Sequence, residues 1–153
     1  MKKAIVLLLI ALMLLSVFTG CGAQTETASP ASGTTNEAGE KIGETIKIGV
    51  IAEISGASAA AGMFVVNGAK LLETEIAAEG GLLIGDTRYP IEFIYEDNED
   101  KEDVTVNAMQ KLLNQENVIA VIGPASSKKS LACFPVAQQL GCPAITSFGT
   151  PAS

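Results

Sequence analysis

The sequence contains no histidine and no tryptophan, and its 153 residues include only 2 tyrosines and 5 phenylalanines. Without histidine, Ser–His or Cys–His nucleophile pairs and imidazole metal ligands are excluded within this chain. Basic residues are also scarce, 10 Lys and Arg against 17 Asp and Glu. Nucleic-acid binding rests on clustered Lys and Arg, so no nucleic-acid partner is expected. The phosphate-cradling signatures GxGxxG and GxxxxGK[ST] are missing, as is the GxSxG nucleophile elbow. These absences lead us to expect a non-enzyme without a cofactor or a metal. Cysteines number three, Cys21, Cys133 and Cys142. The last two admit a disulfide outside the cytoplasm or a pair of small buried hydrophobes, and the second reading is preferred.

One long hydrophobic run is present, at the N-terminus. Lys2 and Lys3 precede an almost wholly apolar stretch from Ala4 to Phe18, and Thr19-Gly20-Cys21 follows. A basic start, about 15 apolar residues and small residues at the exit read as a secretory signal, too short to span a bilayer comfortably. Phe18-Thr19-Gly20-Cys21 resembles the lipobox of bacterial lipoproteins, although Phe18 stands where Leu is usual. That resemblance implies cleavage before a diacylated Cys21 and anchoring to the membrane. Lys2 and Lys3 would leave with residues 1–20, so 8 of the 10 basic residues would face 17 acidic ones. Residues 22–44 are mostly Ala, Gly, Ser, Thr, Glu and Gln, with Ile42 the single large apolar residue. Such a composition cannot bury a core and predicts a flexible linker.

From residue 45 onward the pattern alternates. Ile46–Ile54 reads as a buried strand, and residues 59–79 as a helix with Phe64, Val65, Gly68, Ala69, Leu72 and Ile76 on its inward face. Gly80-Gly81 ends it, and residues 82–89 read as a turn-rich excursion around Gly85-Asp86. A second strand is predicted over 91–95 and a second helix over 103–114, with Val104, Ala108, Met109, Leu112 and Leu113 inward. The third strand covers 118–122. The third helix covers 127–140, with Pro135 as a kink, and the fourth strand covers 144–147. This βαβαβαβ order with near-continuous apolar strands predicts an α/β fold, a doubly wound parallel sheet with helices on both faces. The last strand has no helix after it, so the chain is expected to be the N-terminal part of something larger.

Two hydroxyl-rich turns follow the third and fourth strands, at Gly123-Pro124-Ala125-Ser126-Ser127 and Ser147-Phe148-Gly149-Thr150. Ligands of open α/β sheets bind outside the carboxyl ends of the strands. Ser126 or Ser127 is an N-cap for the third helix, and free N–H groups there also suit an anion. Capping alone is the plain alternative. Lys128 and Lys129 could add positive potential, but a solvated helix face is preferred. The Thr150 hydroxyl could hold a carboxylate or ammonium, or merely belong to a turn. Ser55, in the small-residue stretch after the first strand, could donate to a ligand or cap its own turn. The run Glu96–Asp103 fails the calcium-loop pattern, with Glu102 and Ala108 where Gly and Glu are required. It reads as a solvated loop with acids at a helix start.

Taken in order, Ile48-Gly49-Val50 leading to Ser55-Gly56, Glu79-Gly80-Gly81, Tyr95-Glu96-Asp97-Asn98, Ile122-Gly123-Pro124 and Pro143-Ala144-Ile145 resemble the type I periplasmic binding proteins. The nearest likeness is to the leucine-binding-protein-like substrate-binding lipoproteins of branched-chain amino acid ABC transporters. In that family two α/β lobes close over an amino acid. The resemblance implies that residues 45–153 form part of lobe one, and that an amino acid is captured outside the cytoplasm and delivered to a permease. A sensing receptor domain of the same fold is the alternative. Carried over residue by residue, Ser127 would hold the ligand carboxylate and Ala125 would offer its carbonyl, with Ser126 between them. Thr150 would bind the polar head beside the Phe148 backbone. Ala61 stands where the family often places an aromatic wall.

Overall fold

Runs of β-branched and aliphatic residues alternate with amphipathic stretches, and the alternation sets the architecture. The computed structural model describes residues 39–150, together with the backbone of Thr34–Thr35. The signal segment and Cys21 lie outside the described residues. In chain order the elements are β1 (Thr34–Thr35), β2 (Lys41–Ile42), β3 (Ile46–Ala52), α1 (Ala59–Ala78), β4 (Leu82–Ile84) and β5 (Thr87–Tyr89). There follow β6 (Ile91–Asp97), α2 (Glu102–Asn114), β7 (Ala120–Ile122), α3 (Ser127–Gln139) and β8 (Ala144–Ile145).

The central sheet has the order β6-β3-β7-β8 and is parallel throughout. β3 lies between β6, which follows it through α1, and β7, reached by the crossover through α2. The strand order therefore reverses between β3 and β7, the switch point at which doubly wound sheets bind ligands. Alternation along β3 divides the core. Val50 and Ala52 pack with Val65, Val66 and Ala69 of α1 on one face. Ile51 packs with Met109 and Leu112 of α2 and with Cys133 and Ala137 of α3 on the other. Each large aliphatic side chain buried this way contributes about 1.5–3 kcal/mol. Burial also pushes the Cys133 thiol up to about 11, and Cys133 and Cys142 are both free thiols.

Glycine is required at two crossings. A Cβ at Gly123, whose φ is +96°, would lie 1.9 Å from the Ile51 carbonyl oxygen, and one at Gly62 would lie 2.1 Å from that of Glu53. These contacts let the loop after β7 and the first turn of α1 close onto the end of β3.

Four expectations need correction. The buried stripe of α1 is Gly62, Val65, Val66 and Ala69, while Phe64 is 70% exposed and Gly68 and Leu72 also face outward. The apolar residues ring much of this helix, so periodicity alone left its phase open. Residues 82–89 form a β4–β5 hairpin, with Ile84 opposite Thr87. Lys41–Ile42, read as linker, pair in parallel with Thr87–Arg88 and extend that hairpin into a second small sheet. β8 stops at Ile145, because the Thr146 hydroxyl donates to the Pro124 carbonyl at 2.8 Å and accepts the Gly149 N–H at 3.1 Å, which turns the chain. Pro135 sits inside α3 without ending it.

Candidate functional site

Three loops meet at the carboxyl edge of the sheet, those after β3, β6 and β7, and carboxylates tie them together. Asp97 accepts the N–H groups of Ile54 at 3.0 Å and Ser55 at 3.1 Å, and that of Glu99 at 2.8 Å. Burial pushes the Asp97 carboxyl up, but the bonds from Ser55, Glu99 and Ile54 outweigh it and hold the group below its ordinary value. Asp100 accepts the Ser58 hydroxyl at 2.8 Å and the Ser58 N–H at 3.1 Å, and pairs with the Lys129 ammonium at 2.5 Å. Those partners, Lys129 first and then Ser58, lower its carboxyl. Asn98 is wholly buried, donates to Glu53 Oε1 at 3.4 Å and accepts the Asp100 N–H at 3.0 Å. Within the run read as a solvated loop, Asp97, Asn98 and Asp100 turn inward and form a structural hub that satisfies backbone donors the bends leave free, while Glu99, Lys101, Glu102 and Asp103 are exposed and the last two stand in the first turn of α2 as expected.

Lys129 joins this hub from α3. Its side chain is 9% exposed, with Nζ 3.2 Å from Glu53 Oε1 and 3.2 Å from Ser126 Oγ. Desolvation works against the ammonium, yet Asp100 and Glu53 together raise its pKa. Lys128 behaves as expected of a solvated face, 81% exposed and paired with Glu102. Ser126 is the α3 N-cap, its Oγ accepting the Lys129 N–H at 3.4 Å.

Above the hub lies a cavity of about 370 Å³. Its polar wall is Glu53, Ser58, Ser126 and Lys129, and its apolar wall is Ala61, Phe64, Ala125 and Phe148. Of the residues expected at the site, Ala61, Ala125, Ser126 and Phe148 therefore line one space. Ser127 and Thr150 come together beside it, the Ser127 hydroxyl donating to the Thr150 carbonyl at 2.6 Å. Ser55 is exposed and its N–H is committed to Asp97. Ala61, which stands where the family often places an aromatic, lines the cavity together with Phe64, one turn later on the same side of the helix. Glu53, Ser58 and Lys129 were not expected as lining residues. No spacing rule marks them, because Glu53 and Ser58 in the β3–α1 loop meet Lys129 of α3 only in the fold.

The chemistry of this wall suits binding. Ser126 and Lys129 have the Ser-x-x-Lys spacing of some acyl-transfer enzymes, but Lys129 is held protonated by two carboxylates and is a poor proton acceptor. Among the described residues, no group of three or more His, Cys, Asp or Glu could hold a metal ion.

The sequence matches the periplasmic binding protein family over residues 45–153. Comparison with curated proteins found no match. Among solved structures the chain is similar to the branched-chain amino acid transporter substrate-binding protein LivJ from Streptococcus pneumoniae in complex with isoleucine. Identity is 36% and the TM-score 0.66, over 71% of this chain and 30% of that one. It is also similar to the leucine-binding protein LivK from Thermotoga maritima, at 27% identity and TM-score 0.60 over 70% and 29% of the two chains. A third likeness is to a solute-binding protein of an ABC transporter from Rhodopseudomonas palustris in complex with 3,4-dihydroxybenzoic acid. There identity is 28% and the TM-score 0.60, over 69% and 27%. The chain spans 27–30% of the length of these three structures. With a doubly wound sheet, a cavity at its switch point and a family match across the whole α/β region, the chain belongs to the periplasmic binding protein family.

Proposed function

We propose that this protein captures a free amino acid outside the cytoplasm and delivers it to an ABC transporter permease. The observation that carries the reading is the cavity between the ends of β3, β7 and β8, where the α3 N-terminus and polar side chains face an apolar wall. An amino acid has that division, with a charged head and a side chain of variable polarity. The likeness to an isoleucine-bound LivJ supports the class of ligand. Ser127 and Thr150 hold the ligand carboxylate in this reading, after the Ser127 hydroxyl leaves the Thr150 carbonyl it now engages. A mobile second lobe, as in the family, closes the site.

The test is a thermal-shift screen of the standard amino acids and of hydroxybenzoates on the complete gene product. An aliphatic or related amino acid is expected to raise Tm, since a ligand bound only by the folded state adds about 2.7 kcal/mol at a hundred times its Kd. Replacing Ser127 and Thr150 together by Ala should remove the shift. No shift with any amino acid would sink the assignment, and an undiminished shift in the double variant would move the carboxylate elsewhere.

A further inference from the structure

Glu53 closes the apolar run of β3 and is 1% exposed, yet it forms part of the cavity wall. Its Oε1 takes the Lys129 ammonium at 3.2 Å and the Asn98 amide at 3.4 Å. Its Oε2 is buried with no hydrogen-bond partner. Buried polar atoms nearly always have a partner, and an exception calls for a cause. The charges around it point the same way. Glu53 shares the one cation of this cluster, Lys129, with a second carboxylate, Asp100, which does not itself line the cavity; the other lining groups are neutral hydroxyls, methyls and rings. The cluster of Glu53, Lys129 and Asp100 therefore holds an unused acceptor and one negative charge in excess.

We infer that Glu53 receives a protonated nitrogen of the ligand, so that a cationic amino group is a feature this cavity selects. The inference rests on the amino-acid reading above and names the group recognised within lobe one. A ligand ammonium gives Oε2 its missing donor and neutralises the excess charge in one contact. It also leaves the ligand carboxylate near the α3 N-terminus, because Lys129 Nζ lies 3.2 Å from both Glu53 Oε1 and the Ser126 cap oxygen. The α-ammonium and a cationic side chain offer the same chemistry, and the titrations below distinguish them. Acids without nitrogen, such as the 3,4-dihydroxybenzoic acid bound by the Rhodopseudomonas relative, lack the required group.

Calorimetric titration of the complete gene product separates the possibilities. The probes are isoleucine, its 2-oxo acid, 6-aminohexanoate and hexylamine, each against the wild type and Glu53→Gln. Isoleucine is expected to bind at least tenfold more tightly than its 2-oxo acid, the size of a hydrogen bond to a charged group. Glu53→Gln should remove most of that preference. Tight 6-aminohexanoate with weak isoleucine, again lost in Glu53→Gln, assigns the nitrogen to the side chain and equally supports the inference. Amine binding that depends on Glu53, with no amino acid bound, overturns the amino-acid reading and supports the role of Glu53. Equal affinity for isoleucine and its oxo acid overturns the inference and leaves carboxylate capture standing. Should Glu53→Gln fail to fold, the same titration of Glu53→Asp, which draws the carboxylate back by one methylene, decides: a preference as large as that of the wild type overturns the inference, as does a wild-type ratio near one. Absence of binding by every nitrogen-bearing probe overturns both.

Discussion

Lys128 and Lys129 are neighbours in sequence with opposite surroundings. The Lys128 side chain is 81% exposed and its partner Glu102 is 45% exposed, so the pair is screened by solvent. Such surface pairs contribute about 0–1 kcal/mol. Lys129 is 9% exposed and compensates Glu53, which is 1% exposed. Removing one partner of a buried pair leaves the other charge uncompensated and costs about 3–5 kcal/mol. Lys129→Met is therefore expected to lower the stability measured by urea unfolding by about 3 kcal/mol. Lys128→Met should change it by less than about 0.5 kcal/mol. Equal losses in the two variants would mean that Lys129 is not the counter-charge of the hub.

Elements are joined at this edge by side chains rather than by ladder bonds. Asp97 ends β6 and holds the backbone of the β3–α1 loop, and Asp100 opens the way to α2 while holding Ser58 at the start of α1. Both carboxyls lie below their ordinary values. A carboxyl lowered by folding binds its proton more readily in the unfolded chain. Its stabilisation is complete above the unfolded value of about 3.9 and is lost as pH falls through the lower folded value. Tm should therefore be insensitive to these groups between pH 5 and 8, a range set by their ordinary pKa of about 3.9, and should fall steeply below about pH 4. Asp97→Asn should lower Tm at neutral pH and flatten the acid limb. An unchanged acid limb in that variant would place the sensitive carboxylates elsewhere. The order of the elements was legible because apolar runs bounded by Gly and Pro have unambiguous periods, as at Gly80-Gly81 and Gly141-Cys142-Pro143. The joints were not. Asp97, Asn98 and Asp100 have the composition of a solvated loop, and only the fold brings Glu53 and Lys129 to meet them. The two turns that carry Ala125, Ser126 and Phe148 could be placed at the cavity because turns after parallel strands lie on one edge, whereas the choice of Ala125 and Phe148 within them came from the family resemblance. The phase of α1 could not be read, since Phe64, Leu71 and Leu72 interrupt any single apolar stripe.

At the scale of the whole molecule, the described region offers one wall of a site. Phe64 is 70% exposed and Phe148 is 55% exposed at the rim of the cavity, and large apolar rings at a polar rim mark a surface built to be covered. Family membership implies a location outside the cytoplasm. We propose that Cys21 provides the anchor, on the strength of Phe18-Thr19-Gly20-Cys21 and the apolar run before it. The physics favours diacylation over a single chain. Each buried methylene contributes about 0.8 kcal/mol, and one myristoyl chain alone gives only marginal, reversible binding. A diacylated Cys21 is expected to incorporate labelled palmitate and to appear in mass spectra as the modified N-terminal residue of the mature chain. Cys21→Ser should abolish the label while leaving Cys133 and Cys142 in place. Those two make the control informative, because general acylation of thiols would persist in Cys21→Ser. Label that survives the substitution, or a wild-type chain whose mature N-terminus is unmodified, would leave the protein without this anchor and return the apolar run to the role of a simple export signal.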